Sequence, residues 1–282
     1  MSEWPPMRHG TPMQPPATGR RWKPSAGIQA SVALHAGAAA AAVVQPSLWP
    51  WLLAGVVADH LVLTAAGLWP RSSLLGPNLT RLPPGAATGR LALTIDDGPD
   101  PDITPRVLEV LEKYRTCATF FCIGERVARH AEVAREIVAR GHAIENHSQR
   151  HRHSFSLLGP RGLTAEIAAA QDQISGVTGQ RPRFFRAPAG LRNPFLEPVL
   201  ARQDLHLASW TRRGFDTVRN DTNQIFRTLT RGLGEGDILL LHDGHAARTP
   251  TGVPVILEVL PRLLDAVAAA GFVPVTLRST LP

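Results

Sequence analysis

The chain has 282 residues, 44% of them apolar and 19% charged, which excludes wholesale disorder and leaves room for one large domain or two modest ones. The formal net charge of +7 comes almost entirely from arginine, with lysine only at Lys23 and Lys113. Such a surplus suits an anionic membrane surface or a phosphorylated ligand. With no basic run interleaved with aromatics, nucleic acid is not expected as a partner.

Residues 1–24 are rich in Pro, Met, Gly and Arg without a hydrophobic period, and read as a disordered basic tail. Residues 25–44 are almost all apolar or small, with His35 their only ionisable residue, and residues 48–68 form a second apolar stretch after a Gln-Pro-Ser break. Each stretch has about the length of a bilayer-spanning helix, and Trp49, Trp51 and Trp69 fall where interfacial aromatics belong. Residues 25–70 are therefore expected to form a membrane-spanning helical hairpin. Two other readings compete with it: a signal peptide or single anchor made by the first stretch, and a helical pair packed on the following domain. The long basic tail and the lack of a small-x-small cleavage site argue against a signal peptide. Asp59 and His60 lie mid-span, where a charge needs a partner, and His35 or His60 is the candidate partner for Asp59.

Arg20, Arg21 and Lys23 precede the first stretch, Arg71 and Arg81 follow the second, and no Lys or Arg lies between. The positive-inside rule then places both termini in the cytoplasm of a bacterial-type inner membrane, whereas a single span would put the C-terminal domain on the other side. Residues 71–89, rich in Pro and Gly, read as a linker.

From residue 90 the pattern becomes strand, loop, helix, repeated. Apolar runs at residues 91–95, 118–123, 142–145, 183–186, 205–210, 238–241 and 272–277 are expected strands. Helices are expected at 104–114, 130–140, 164–178, 193–202, 222–233 and 255–270, the first with Pro105 in its opening turn and the second ended by Gly141. Seven strands alternating with helices predict an α/β fold of parallel strands, better suited to a barrel than to an open sheet. Cys117 and Cys122, five apart on the second strand, would face opposite sides and cannot bridge; they read as small buried residues.

In α/β barrels, chemistry collects at the C-terminal strand ends. Here those ends carry Asp96-Asp97-Gly98-Pro99, Asn146 to His151, Arg186 to Gly190, the segment from Trp210 to Asp216, and His242-Asp243. His147 and His151, four apart, would face one side if they share a helical turn. Two histidines and a carboxylate make a three-ligand site with an open position, the arrangement that activates water on a catalytic metal. Adjacent Asp96 and Asp97 point in different directions, so one can ligate while the other acts as base. His242 is a candidate acid for a leaving amine, and backbone N–H groups near Ala189 are candidate oxyanion donors.

These segments resemble the motifs of the polysaccharide deacetylases with a NodB-type homology domain, carbohydrate esterase family 4, over roughly residues 91–277. Thr94-Ile95-Asp96-Asp97-Gly98-Pro99 resembles T-F-D-D-G-P, which implies Asp96 as general base and Asp97 as metal ligand. His147-Ser148-Gln149-Arg150-His151 resembles H-[ST]-x-x-H, which implies His147 and His151 as the other ligands; His153 lies nearby, but the spacing favours His151. Arg186-Ala187-Pro188-Ala189-Gly190 resembles R-x-P-[FY]-G, with Arg186 orienting Asp96 and the Ala189 N–H in the oxyanion hole. Ala189 replaces the motif's aromatic, removing one aromatic wall. The segment from Trp210 to Asp216 resembles the fourth motif loosely, with Asp216 tuning the acid histidine and Thr217 in place of a Trp. Leu240-Leu241-His242 resembles L-x-H, with His242 as general acid.

The resemblance implies a distorted seven-stranded (β/α) barrel over residues 90–282. It also implies a divalent metal, with zinc the expectation, and an N-acylated amino-sugar substrate in a polysaccharide or linked to a lipid. The alternative is a non-catalytic glycan- or lipid-binding membrane protein that keeps the barrel; a third reading makes the hairpin and Asp59 the working part of an assembly factor. The sequence leaves the oligomeric state open.

Overall fold

The structure, a computed structural model, describes residues 20–280. The tail expected over residues 1–24 thus lies mostly outside the described residues. Two long helices open the described chain, α1 (Ala26–Val44) and α2 (Trp49–Leu68), separated at Gln45 and Pro46. Ser25 caps α1 by accepting a hydrogen bond from the Ile28 N–H. Both helices are long and apolar enough to cross a membrane, by length and composition, and few of their residues are buried within the chain.

Their polar residues meet each other. The Ser31 hydroxyl donates to Asp59 Oδ2 at 2.6 Å, and His35 Nδ1 lies 3.9 Å from the same oxygen. His35 Nε2 lies 3.3 Å from His60 Nε2. Ser31 is thus the hydrogen-bond partner of Asp59, with His35 the nearer histidine.

Eight short strands follow: β1 (Arg90–Asp96), β2 (Thr119–Cys122), β3 (Ala143–Asn146), β4 (Phe184–Phe185), β5 (His206–Leu207), β6 (Arg212–Arg213), β7 (Ile238–His242) and β8 (Val273–Val275). All pair in parallel, in the order β5-β4-β3-β2-β1-β7-β6, with β8 against the first half of β1. The two ends of that path, β5 and β6, belong to one segment, residues 206–213. It bonds to β4 at its start and to β7 at its end, so the sheet curls round on itself. Counting that segment as one strand gives the seven expected, with the predicted fifth strand interrupted between Leu207 and Arg212.

Alternation along the strands explains why this sheet has two apolar faces. Leu91, Leu93 and Ile95 of β1, with Leu239 and Leu241 of β7, pack outward against the helices at Thr104–Lys113 and Val255–Ala269. The intervening Ala92, Ile238 and Leu240 pack inward with Phe121, Phe184 and Trp210. A strand buried on both faces reads as a continuous apolar run, which is how these strands appear in the sequence. The same parity turns Asp96 and His242, the last residues of their strands, toward the barrel interior.

Residues 71–89 differ from the expected linker. Leu75 and Leu82 are buried, the Leu79 N–H donates to the Leu207 carbonyl, and the Ser209 N–H donates to the Leu79 carbonyl. The segment thus fills the interruption between β5 and β6. Arg81 is 2.7 Å from the buried Asp237, which also holds Arg212. Arg20, in the expected tail, is likewise ordered, its guanidinium 2.8 Å from Glu197.

Candidate active site

The interior-facing end of β1 places Asp96 against Arg186, which lies just beyond β4. Arg186 is fully buried, and each of its three nitrogens donates a hydrogen bond. It donates to Asp96 Oδ1 at 2.6 Å, to Thr94 Oγ1 at 2.8 Å, and to the carbonyls of Ala208 and Ser209 at 3.2 and 2.7 Å. Its guanidinium also lies 4.1 Å from the centre of the Phe121 ring. Burial works against the Arg186 cation, and the adjacent Asp96 carboxylate supports it. A planar fork with all three nitrogens engaged locks the Asp96 carboxylate in place.

The next residue turns away. Asp97 has φ 74°, a left-handed conformation that swings its side chain out of the β1 alternation. Its Oδ1 lies 3.2 Å from both His147 Nε2 and His151 Nε2, and these three ligand atoms all lie within 4.8 Å of one another.

The two histidines come together differently from the expected helical turn. Residues 147–151 form a loop in which Ser148 and His151 have positive φ, 64° and 50°. Asn146 Oδ1 accepts from the Ser148 N–H, and Ser148 Oγ accepts from the His151 N–H. Side-chain-to-backbone bonds of this kind compete with helix, and here they win.

Hydrogen bonds assign the ring protons. His147 Nδ1 donates to the Arg186 carbonyl at 2.8 Å, leaving its Nε2 as a lone pair aimed at Asp97. Burial and the neighbouring His147 push His151 down to about 4, so it is neutral at pH 7. Asp97 Oδ1 is buried and, among the described residues, accepts no hydrogen bond. Lone pairs from two imidazoles and a carboxylate thus converge without a proton between them, which fits a divalent cation.

His245 completes this corner. Its Nδ1 lies 2.9 Å from Asp97 Oδ2, and its Nε2 accepts from Arg126, which makes Nδ1 the donor to Asp97. Burial alone would raise the Asp97 carboxyl, but the adjacent His147 and the hydrogen bond from His245 hold it well below the usual range.

His242 approaches from β7, where it is the register partner of Asp96. Its Nδ1 donates to Asp216 Oδ1 at 2.9 Å and its backbone N–H to Asp216 Oδ2 at 2.7 Å, leaving Nε2 free. Burial would lower His242, yet the fully buried Asp216 outweighs it and the imidazole is raised. The following Asp243, also fully buried, is pushed up to about 7 by burial. Ala189, φ 54°, sits in the turn Pro188–Gly190. Asp96, Asp97, His147, His151, Ala189 and His242 all line one cavity of about 530 Å³, with Asp216 directly behind His242.

A family model for polysaccharide deacetylase matches residues 85–208. A chitooligosaccharide deacetylase from Bradyrhizobium sp. (strain ANU 289) is 35% identical over 194 residues, 66% of this chain and 88% of that protein. The chain belongs to the polysaccharide deacetylase family. A second relative, a peptidoglycan-N-acetylglucosamine deacetylase from Bacillus cereus, is 34% identical over 61% of this chain and 81% of its own length. Among solved structures, a family 4 carbohydrate esterase from Streptomyces lividans in complex with acetate is 31% identical. It superposes with a TM-score of 0.60 over 67% of this chain and 93% of that one.

The eight residues singled out from the sequence lie in this cavity or directly behind its wall, and sequence reasoning missed His245. The signal was available, since His245 lies in the loop that follows β7, three residues after His242. It also missed Arg126, whose guanidinium ties the Gly244 carbonyl and His245 together.

Proposed function

We propose that this protein is a divalent-metal-dependent hydrolase that removes the N-acyl group of an amino sugar. The observation that carries the reading is a single cavity in which Asp96 and His242 flank the converging lone pairs of Asp97, His147 and His151. Those three residues would hold the cation, proposed to be zinc. When bound, such a cation makes water a nucleophile near neutral pH and polarises the acyl carbonyl.

The chain's own residues do the rest. Asp96, held by Arg186, takes a proton from the attacking water as its oxygen bonds to the acyl carbon. The Ala189 backbone N–H is the proposed donor to the developing oxyanion. The C–N bond then breaks as protonated His242 gives its Nε2 proton to the leaving nitrogen, with Asp216 stabilising the imidazolium. A carboxylate and a free amino sugar result. The two relatives act, by name, on chitooligosaccharide and on peptidoglycan N-acetylglucosamine, which supports an N-acetylated sugar as the substrate class. Mass spectrometry of N-acetylated chitooligosaccharides incubated with the zinc-loaded protein tests this; unchanged acetyl content in soluble and lipid-linked sugars alike would exclude it.

The helices α1 and α2 are proposed as a membrane hairpin with the barrel on the cytoplasmic side, supported by their apolar length and by the arginines that flank them. A C-terminal reporter active only outside the cytoplasm would stay silent on this reading, and activity would reverse the orientation.

A further inference from the structure

A second cavity, of about 520 Å³, adjoins the catalytic one. Leu68, Trp69 and Pro70, at the end of α2, form one side; Trp210 and Phe215 form the other. Trp210 and Arg213 line both cavities, so the two meet at these side chains. The junction is anchored, because Ser209 Oγ and Asn78 Nδ2 both donate to the Pro70 carbonyl and the Arg192 N–H donates to the Gly67 carbonyl.

Arg213 marks the boundary. The other arginines of the catalytic cavity have carboxylate neighbours: Arg126 has Asp100, Arg129 has Glu125, and Arg150 has Glu125 and Glu166. Among the described residues, Arg213 has no such ion pair, and its buried Nε has no hydrogen-bond partner. Its guanidinium instead lies 5.4 Å from the Trp210 ring centre and 5.2 Å from that of Phe215. A half-buried cation without a counter-charge at an apolar threshold is a site for an anion. Arg71, exposed on the rim of the second cavity, adds a further positive charge.

We infer that the two cavities hold one ligand, an N-acyl amino sugar joined through a phosphate to a lipid. The sugar occupies the catalytic cavity, the phosphate lies at Arg213, and the first lipid carbons lie along Trp210, Phe215 and the end of α2. This rests on the deacylase reading and names its substrate class. Three observations converge on it. The apolar cavity abuts the catalytic one, the unpaired cation lines both, and the outer wall is the end of a candidate membrane span. Leu68 and Trp69, 60% and 62% exposed, extend that wall toward the bilayer surface. A soluble glycan would meet neither the unpaired charge nor an apolar rim with matching chemistry.

The test measures binding apart from turnover. The full chain is placed in phosphatidylcholine nanodiscs and titrated calorimetrically with farnesyl phosphate, farnesol, inorganic phosphate and an N-acetylated chitooligosaccharide. Farnesyl phosphate is expected to bind at least about tenfold more tightly than farnesol or inorganic phosphate. Arg213→Ala should remove about tenfold of that preference and Arg213→Lys should retain most of it, while farnesol binding by each variant reports an intact apolar wall. Equal binding of farnesol and farnesyl phosphate overturns the proposal. So does a preference for the chitooligosaccharide that Arg213→Ala leaves untouched, which would assign Trp210 to stacking a soluble sugar. Failure to deacetylate any sugar would instead overturn the deacylase reading, and the binding result would stand separately.

Discussion

Asp96 and His242 are register partners on adjacent parallel strands, each the last residue of its strand and each turned into the barrel. The proposed base and acid therefore share one level of one wall, and the sheet's own hydrogen bonds set their separation. A one-residue slip between β1 and β7 would break that pairing. Asp96→Asn keeps the shape and the bonds to Arg186 but abolishes the base. Turnover should fall roughly 10²–10⁴-fold, with zinc content by elemental analysis unchanged. Loss of zinc in this variant would make Asp96 a ligand rather than a base.

His245 should tune the metal without holding it. It donates to Asp97 Oδ2, the oxygen facing away from His147 and His151. Partners of this kind typically contribute 10–100-fold to affinity, so His245→Ala should weaken zinc binding by about that factor in a chelator competition. His147→Ala should abolish stoichiometric zinc. An unchanged affinity in His245→Ala would leave that residue a role only in closing the loop.

The pH profile has a defined sign. His242 donates a proton, so it must be protonated to act, and Asp216 raises it above an ordinary histidine. Activity should therefore persist as pH rises through the ordinary histidine range and fall only above it. Asp216→Asn removes the raising charge, leaving burial to lower His242, so the alkaline limb of kcat should move to lower pH. A profile identical to wild type would show that another group limits the alkaline side.

Arg186 is both structural and chemical. Arg186→Met leaves Asp96 buried without its counter-charge and the Ala208 and Ser209 carbonyls without their donor. The loss should be about 3–5 kcal/mol, the usual result of removing one partner of a buried pair. Urea unfolding followed by tryptophan fluorescence reads it, and a change below about 1 kcal/mol would contradict the role assigned to the fork.

Much of this was legible before the structure, for physical reasons. Strands buried on both faces appear as short apolar runs, and reactive residues after such runs fall at one end of a barrel, which is how Asp96, Asp97, Arg186 and His242 were found. Ala189 was marked by its place after the fourth strand, and the role of Asp216 beside His242 came through motif resemblance. What escaped depended on contacts distant in sequence. Leu75 and Leu82 show no period, so nothing marked residues 71–89 as packed against β5 and β7. The loop that joins His147 to His151 is made by Asn146 and Ser148 side chains, whose preference for turns over helix is visible only once their partners are known. The pairing of Ser31 with Asp59 required the two helices to be placed side by side.

The most direct test of the central claim is acetate release from N-acetylated amino sugars, soluble and lipid-linked. It is measured with the purified full chain before chelation, after chelation and after zinc is restored, with Asp96→Asn alongside. The account predicts release that chelation abolishes, that zinc restores and that Asp96→Asn lacks. Release that survives chelation would contradict the metal site. No release from any of these sugars by a zinc-loaded wild-type protein would contradict the hydrolase.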